Sequence, residues 1–235
     1  MRPIFFAKFP KEAARPAEYE DACDARQYKG VFAVSDGASE SYCSGKWARI
    51  LVNRFVDRQG VDRDWVASAI AEYNGHFNRD AMGWSAQAAF DRGSFATLLG
   101  LVFVSGGVSA RIISIGDSLA ALVDEGRLVG SYPFQDPEQF RANPLLLSTV
   151  MERNAQLMEP GALKHLTTEW QLAGLRHPRI LLMTDAIGAW LLAAPEARLG
   201  QLLELRSRSA FAALISSERA ARRMKRDDTT LLVLG

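Results

Sequence analysis

Cysteine and histidine are scarce in this 235-residue chain, and the formal net charge is only +1. Cys23 and Cys43 build no disulfide framework and match no zinc-ligand spacing, so buried free thiols in a reducing compartment are expected. The three histidines, His76, His165 and His177, show no partner pattern and are expected in surface or capping roles. Lys and Arg total 28 against 27 for Asp and Glu, so no overall field draws the chain to nucleic acid or to an anionic membrane. No run approaches the roughly 18 apolar residues of a membrane span. The apolar run near the N-terminus, "IFFA", is too short for the core of a secretory signal. A soluble, cytoplasmic protein is the expectation. The G-x-G-x-x-G, P-loop and H-E-x-x-H patterns are absent, which leaves nucleotide-binding and zinc-protease readings without an anchor.

What the chain does have is enough apolar residue, 48%, for one substantial core, with no internal repeat, low-complexity tract or Gly/Ser linker. A single domain over residues 1–235 follows. Residues 3–9 and 30–35 read as strands, while 10–27 resist assignment. A helix beginning near Glu40 or Ser44 carries Trp47, Ile50, Leu51 and Phe55 at helical spacing, and a second after Gly60 carries Trp65, Ala69, Tyr73 and Phe77. The middle of the chain changes period. Short apolar runs between 93 and 132, separated by "SGG" and "DEG", read as an antiparallel meander. Residues 132–165 have prolines and little periodicity, and are expected to form a flap beside an open site. Residues 179–184 form another strand, 196–224 read as helices with Phe211, Leu214 and Ile215 on one core face, and "DDTTLLVLG" closes the chain.

Acids recur where strands end. Asp36 follows "FAVS", Asp117 follows "IISIG", Asp185 follows "LLMT", and Asp227 and Asp228 precede the last strand. Glu20 and Asp21 precede the strand that leads to Asp36. Any one of these alone reads as a turn former or helix cap. Together, carboxylates converging from strand ends repel one another unless a cation neutralises them. Oxygen donors without imidazole or thiolate suit Mg2+ or Mn2+, and a pair of such ions acidifies and orients a water for attack on phosphorus. Asp227 and Asp228 look alike, but neighbours entering a strand face opposite ways, so one ion is not expected to take both.

In this order the fragments resemble the metal-dependent protein phosphatase 2C family over nearly the whole chain. "EYEDA" (18–22) resembles its N-E-D motif with Tyr19 in place of Asn, and "FAVSDGASE" its D-G-x-G-G motif. "GSFATLLGLVF" (93–103), "SIGDSLAALV" (114–123), "LLMTDAIGAW" (181–190) and "DDTTLLVL" (227–234) resemble four further family strands. The likeness is to a divergent bacterial-type branch. It implies an α/β sandwich: two antiparallel sheets face to face, helices outside, and a dinuclear metal site at one end. It further implies a serine/threonine protein phosphatase, a monomer that hydrolyses phosphoserine or phosphothreonine on proteins, opposing a protein kinase. In this likeness Asp36 bridges two Mg2+ or Mn2+ ions, the Gly37 carbonyl and Glu20 hold one, and Asp185 and Asp227 the other. Asp21 is implied to orient water or a ligand within the catalytic centre, and Asp117 to serve a third ion.

Departures from the family pattern are equally visible. Ala38 stands where many members have histidine, Ser39 and Glu40 replace two glycines, Ala186 replaces a glycine, and Ala189 an acid that supports the third ion. The family's phosphate-binding arginine falls at Pro16, which leaves Arg15 or Lys11, with Lys8 behind them, as phosphate ligands. These losses keep open an alternative: a weak or inactive phosphatase-like module that regulates or binds. "GDSLA" (116–120) also spells the motif of GDSL-type serine esterases, with Ser118 as nucleophile, but no histidine has the Asp three residues earlier that such enzymes use. The basic run "RAARRMKR" (219–226) reads as a solvated helix end.

Overall fold

The computed structural model describes residues 1–12 and 14–235. Its first strands are β1 (Pro3–Phe9), β2 (Ala22–Arg26) and β3 (Val31–Ser35), followed by helices α1 (Ser44–Asp57), α2 (Arg63–Gly75) and α3 (Trp84–Arg92). Next come β4 (Phe95–Ala96), β5 (Leu98–Val104), β6 (Ser109–Ile115), β7 (Leu119–Asp124), β8 (Arg127–Tyr132) and β9 (Leu147–Ser148). The chain continues through α4 (Ala162–His165), β10 (Thr167–Gln171), β11 (Arg179–Met183), α5 (Asp185–Leu192), α6 (Pro195–Leu203), α7 (Arg208–Ala220) and β12 (Thr229–Leu234).

Two five-stranded sheets result, ordered β1-β12-β11-β7-β8 and β10-β6-β5-β3-β2, with every pairing antiparallel. The period of two along each strand divides its side chains between two cores. Phe32 and Val34 of β3, Leu99 and Leu101 of β5, Ile180 and Leu182 of β11, and Leu232 and Leu234 of β12 fill the space between the sheets. Val31 and Ala33 face the other way, onto Trp47, Leu51 and Phe55 of α1, with Trp65 and Tyr73 of α2 behind them. Leu181, Met183, Leu231 and Val233 face α5 and α7, where Trp190, Phe211 and Ile215 pack. With both faces covered, central strands are apolar throughout, which explains the unbroken runs in the sequence. The layers are helix, sheet, sheet, helix: an α+β sandwich.

The structure departs from the sequence reading in several places. The helix after Gly60 ends at Gly75, so Phe77 leaves the helical stripe, though its ring still packs against Tyr73 and Tyr42 at 5.0 and 5.3 Å between centroids. Cys43 is exposed rather than buried, and Cys23 is half-buried; both are free. Residues 132–165 are not one flap. Leu147, Ser148, Asn154 and Leu157 are buried, β9 pairs with β4, and Trp47 Nε1 donates to the Leu147 carbonyl at 2.9 Å. Asn154 makes up for the missing periodicity: its Oδ1 accepts from Ser148 N at 2.8 Å and its Nδ2 donates back to Ser148 O at 3.0 Å. The stretch before Leu147 lies at the surface, where Phe134 and Phe140 pack edge to face and Arg141 to Asn143 are exposed; beyond it Glu152, Arg153, Ala155 and Gln156 are exposed around the buried Asn154 and Leu157.

Limited trypsinolysis should therefore cut after Arg141 well before it cuts after Arg153, whose backbone belongs to the 3-10 helix Met151–Met158 anchored by Asn154. Mass spectrometry of the first fragments checks the order, and early cleavage at Arg153 would contradict this division of the segment.

Candidate metal centre

Asp36 leaves β3 at the end of the sandwich, and its backbone is fixed from both sides by Thr97. Thr97 N donates to the Asp36 carbonyl at 2.8 Å, Asp36 N donates to Thr97 Oγ1 at 2.8 Å, and Ser35 Oγ donates to the Thr97 carbonyl at 2.5 Å. Thr97 Oγ1 also meets Ser118 Oγ at 2.8 Å, so the "SFAT" and "GDS" segments share one knot beneath the acid. Gly37 follows because nothing larger fits: a Cβ there would lie 2.8 Å from the Ser44 carbonyl carbon and 2.9 Å from the Glu20 carbonyl oxygen. The loop is thereby pressed against the start of α1, where Ser44 Oγ donates to Glu20 Oε1 at 2.5 Å.

The remaining acids arrive from other strand ends. Asp185 opens α5, with its Oδ1 accepting the Ala186 N–H at 2.6 Å, a position where the helix dipole favours a negative charge. Asp117 follows Gly116, whose φ of +104° turns the chain out of β6 and whose missing Cβ avoids Thr97. Asp21, 3% exposed, has its Oδ2 held by the hydroxyls of Thr230 at 2.8 Å, Thr184 at 3.1 Å and Tyr19 at 3.3 Å, while its Oδ1 is buried with no partner among the described residues.

Electrostatics ties these groups together. Burial, and after it the charges of Asp21, Asp185, Asp227 and Asp117, push the Asp36 carboxyl well above the ordinary carboxylate range. Burial raises Asp21 to about 8, with Asp228 and Asp185 adding to the rise against the Thr230 hydrogen bond. Asp117 is raised to about 6 by burial and by Asp185. The acids thus feel one another across a shared space, with Asp36 acted on by four of them.

Asp227 and Asp228 part company here. Asp227 faces the other acids, its Oδ2 lying 2.7 Å from Lys225 Nζ and its Oδ1 3.7 Å from Lys11 Nζ. Asp228 turns the opposite way and is 5% exposed; its two oxygens accept the backbone N–H groups of Lys11 and Glu20, each at 2.6 Å. Its role is to tether the segment that carries Glu20 and Asp21. Arg219 does similar work, donating to the Pro10 carbonyl at 2.8 Å, to Thr229 Oγ1 at 2.9 Å and to the Asp227 carbonyl.

Two clefts flank the acids. One, of about 820 Å³, is lined by Glu20, Ser39 and the cations Lys11, Arg15, Lys46 and Arg49. Lys11 reaches Ser39 Oγ at 3.5 Å, Arg15 is exposed beside Glu18, and Lys8 instead lies 4.6 Å above the Tyr19 ring. The other, of about 420 Å³, is lined by Asp117, Asp185, Ala189, Phe140, Arg141 and Lys225. Lys225 Nζ sits 2.8 Å from Asp185 Oδ2 as well as 2.7 Å from Asp227 Oδ2. The basic run is therefore only partly a solvated helix end: α7 stops at Ala220, and Arg219, Arg223 and Lys225 engage inward. A lysine two positions before a strand-entry acid pair was the signal that charge counting alone passed over. Ser118, the esterase-like serine, is fully buried beside Thr97 and has no route to a substrate.

The donor chemistry fits a hard divalent cation: oxygen ligands only, an excess of negative charge, and an orphaned carboxylate oxygen on Asp21. Among the described residues, however, no three His, Cys, Asp or Glu side chains are drawn into a ready cage.

No family model and no curated protein matches the chain. Its fold matches solved structures across nearly its full length. The photosystem II phosphatase PBCP superposes with a TM-score of 0.62 at 16% identity, covering 97% of this chain and 96% of the other. The catalytic domain of the serine/threonine protein phosphatase PstP, solved in complex with two manganese ions, gives 0.59 at 18%, covering 97% and 95%. Serine/threonine phosphatase Stp1 from Staphylococcus aureus gives 0.59 at 11%, covering 99% and 94%. The chain has the fold of bacterial-type metal-dependent serine/threonine phosphatases.

The opposite orientations of the two adjacent acids predict unequal costs. In metal-free protein Asp228→Ala removes two charge-assisted bonds to backbone N–H groups and should cost about 3 kcal/mol. Asp227→Ala removes one member of a repelling group and should cost clearly less. Urea denaturation of both variants is the check; equal losses, or the reverse order, would be inconsistent with the tether.

Proposed function

We propose that the protein is a metal-dependent phosphomonoester hydrolase acting on phosphoserine or phosphothreonine in proteins. The observation that carries this reading is the convergence of Asp21, Asp117, Asp185 and Asp227 on Asp36 at one end of a phosphatase-type sandwich. In this reading Asp36, Gly37 and Glu20 hold one Mg2+ or Mn2+ ion, Asp36, Asp185 and Asp227 a second, and Asp117 serves a weaker third. Bound ions would supply the positive charge that neutralises a phosphoryl group and favours ionisation of a water molecule.

The chain's own residues do the rest. Thr97 holds the backbone of Asp36 so that its carboxylate keeps one direction from substrate to product. Asp21, fixed through one oxygen by three hydroxyls, offers its free oxygen to orient a water or an ion's ligand. Lys11 and Arg15 line the larger cleft beside Glu20 and are the side chains suited to draw in the phosphate, with Lys46 and Arg49 extending the positive field along the groove. In this reading the protein is a cytoplasmic monomer that opposes a protein kinase; no described helix is long and apolar enough to cross a membrane. A second reading, a phosphatase-like binding module, is favoured by one feature: the lysine ammonium seated between Asp185 and Asp227.

A phosphothreonine peptide assayed with and without Mn2+ separates the two. The enzyme reading expects Mn2+-dependent release of phosphate that Asp36→Asn lowers by at least about a hundredfold, since positioning and water activation are lost together. Ser118→Ala should keep most of the activity, because that hydroxyl only supports Thr97. Near wild-type turnover by Asp36→Asn would sink the assignment, and covalent labelling of Ser118 by an organophosphate would replace it with an esterase.

A further inference from the structure

The turn between α7 and β12 is built to deliver Lys225. Arg222 takes a left-handed conformation (φ +58°), and Arg223 folds back onto Glu218, donating through Nε at 2.8 Å and Nη2 at 2.5 Å. Glu218 is itself fixed by Trp190 Nε1 at 2.8 Å, and these bonds hold its carboxyl down at about 2. On the near side of Lys225, Met224 is buried in the helix–sheet core; on the far side, Arg226 pairs with Glu12 at 2.7 Å. The backbone around Lys225 is thus pinned before and after it, while its side chain remains 61% exposed and has open cleft to retreat into.

Its ammonium lies where two carboxylates would otherwise share a cation, 2.8 Å from Asp185 and 2.7 Å from Asp227, whose side chains are only 11% and 15% exposed. Two mostly buried carboxylates at this separation require a counter-charge, and a compact point charge on a flexible stem is the side chain that can supply one and withdraw it. Two of the acids are thus turned onto the lysine, and among the described residues no three acids close into a cage. We propose that Lys225 is an intramolecular stand-in for a divalent cation, neutralising Asp185 and Asp227 in the metal-free protein and leaving before those carboxylates take an ion. This rests on the metal-site reading above and adds to it a built-in competitor. Lys225 therefore stabilises the metal-free fold and weakens metal binding, so the site fills only when free metal is high enough to displace it.

Lys225→Met and Lys225→Gln, stripped with EDTA, test this by two readouts independent of activity. Thermal melts without metal should fall below wild type for both variants, and calorimetric titration with Mn2+ should give a Kd roughly tenfold tighter than wild type. Arg226→Met is the control: it deletes a neighbouring positive charge that touches Glu12, and should leave the Mn2+ affinity nearly unchanged. Unchanged or weaker binding by the Lys225 variants overturns the proposal while the metal site stands, as does an equal tightening by Arg226→Met. If neither wild type nor variants bind Mn2+ at all, the metal-site reading itself falls.

Discussion

Repulsion between like charges is the constraint around which this end of the molecule is organised. The sheets bring Asp21, Asp36, Asp117 and Asp185 to one edge, β12 adds Asp227, and burial raises the cost of charge on Asp36, Asp21 and Asp117. Each nearby feature offsets part of that cost. Three hydroxyls hold one oxygen of Asp21, the start of α5 accommodates Asp185, and Lys225 joins Asp185 to Asp227. Asp228 adds to the repulsion on Asp21 but sets both its oxygens on backbone N–H groups. A repelling cluster of this kind has no value to folding stability alone. The cation binding proposed above would supply the balance.

Much of this was legible in the sequence. Central strands such as "VFAVS" and "RILLM" are apolar on both faces because both faces are covered, and that leaves a mark no matter which residues are chosen. The acids at their ends were visible for the same reason: a strand's end is easy to place when its body is unambiguous. What escaped were features set by direction and long-range hydrogen bonding. Nothing in "DDTT" tells which carboxylate turns toward Glu20, since that depends on a backbone 208 positions away. Leu147 and Leu157 are buried without periodicity because Asn154, a polar residue, closes the turn that buries them. Lys225 was hidden in a run of like charges, where only the geometry of one turn separates an inward cation from its solvated neighbours. Cys43, in a left-handed conformation just before α1, is exposed, which composition alone does not show.

The position of β12 has its own implication, for the order in which the molecule assembles. This strand lies between β1 and β11, so one sheet has a gap at its second place until the end of the sequence arrives. Its entry supplies Asp227, and through Asp228 it clasps Lys11, 217 positions earlier. Contacts at such separation are slow to form and come after local hairpins such as β7–β8. During synthesis the opposite sheet, whose strands all precede β11, can pair first, while β1 waits without a neighbour. The acid cluster is therefore among the later parts to be completed, and a nascent chain still short of β12 can pair one sheet but lacks the full set of acids.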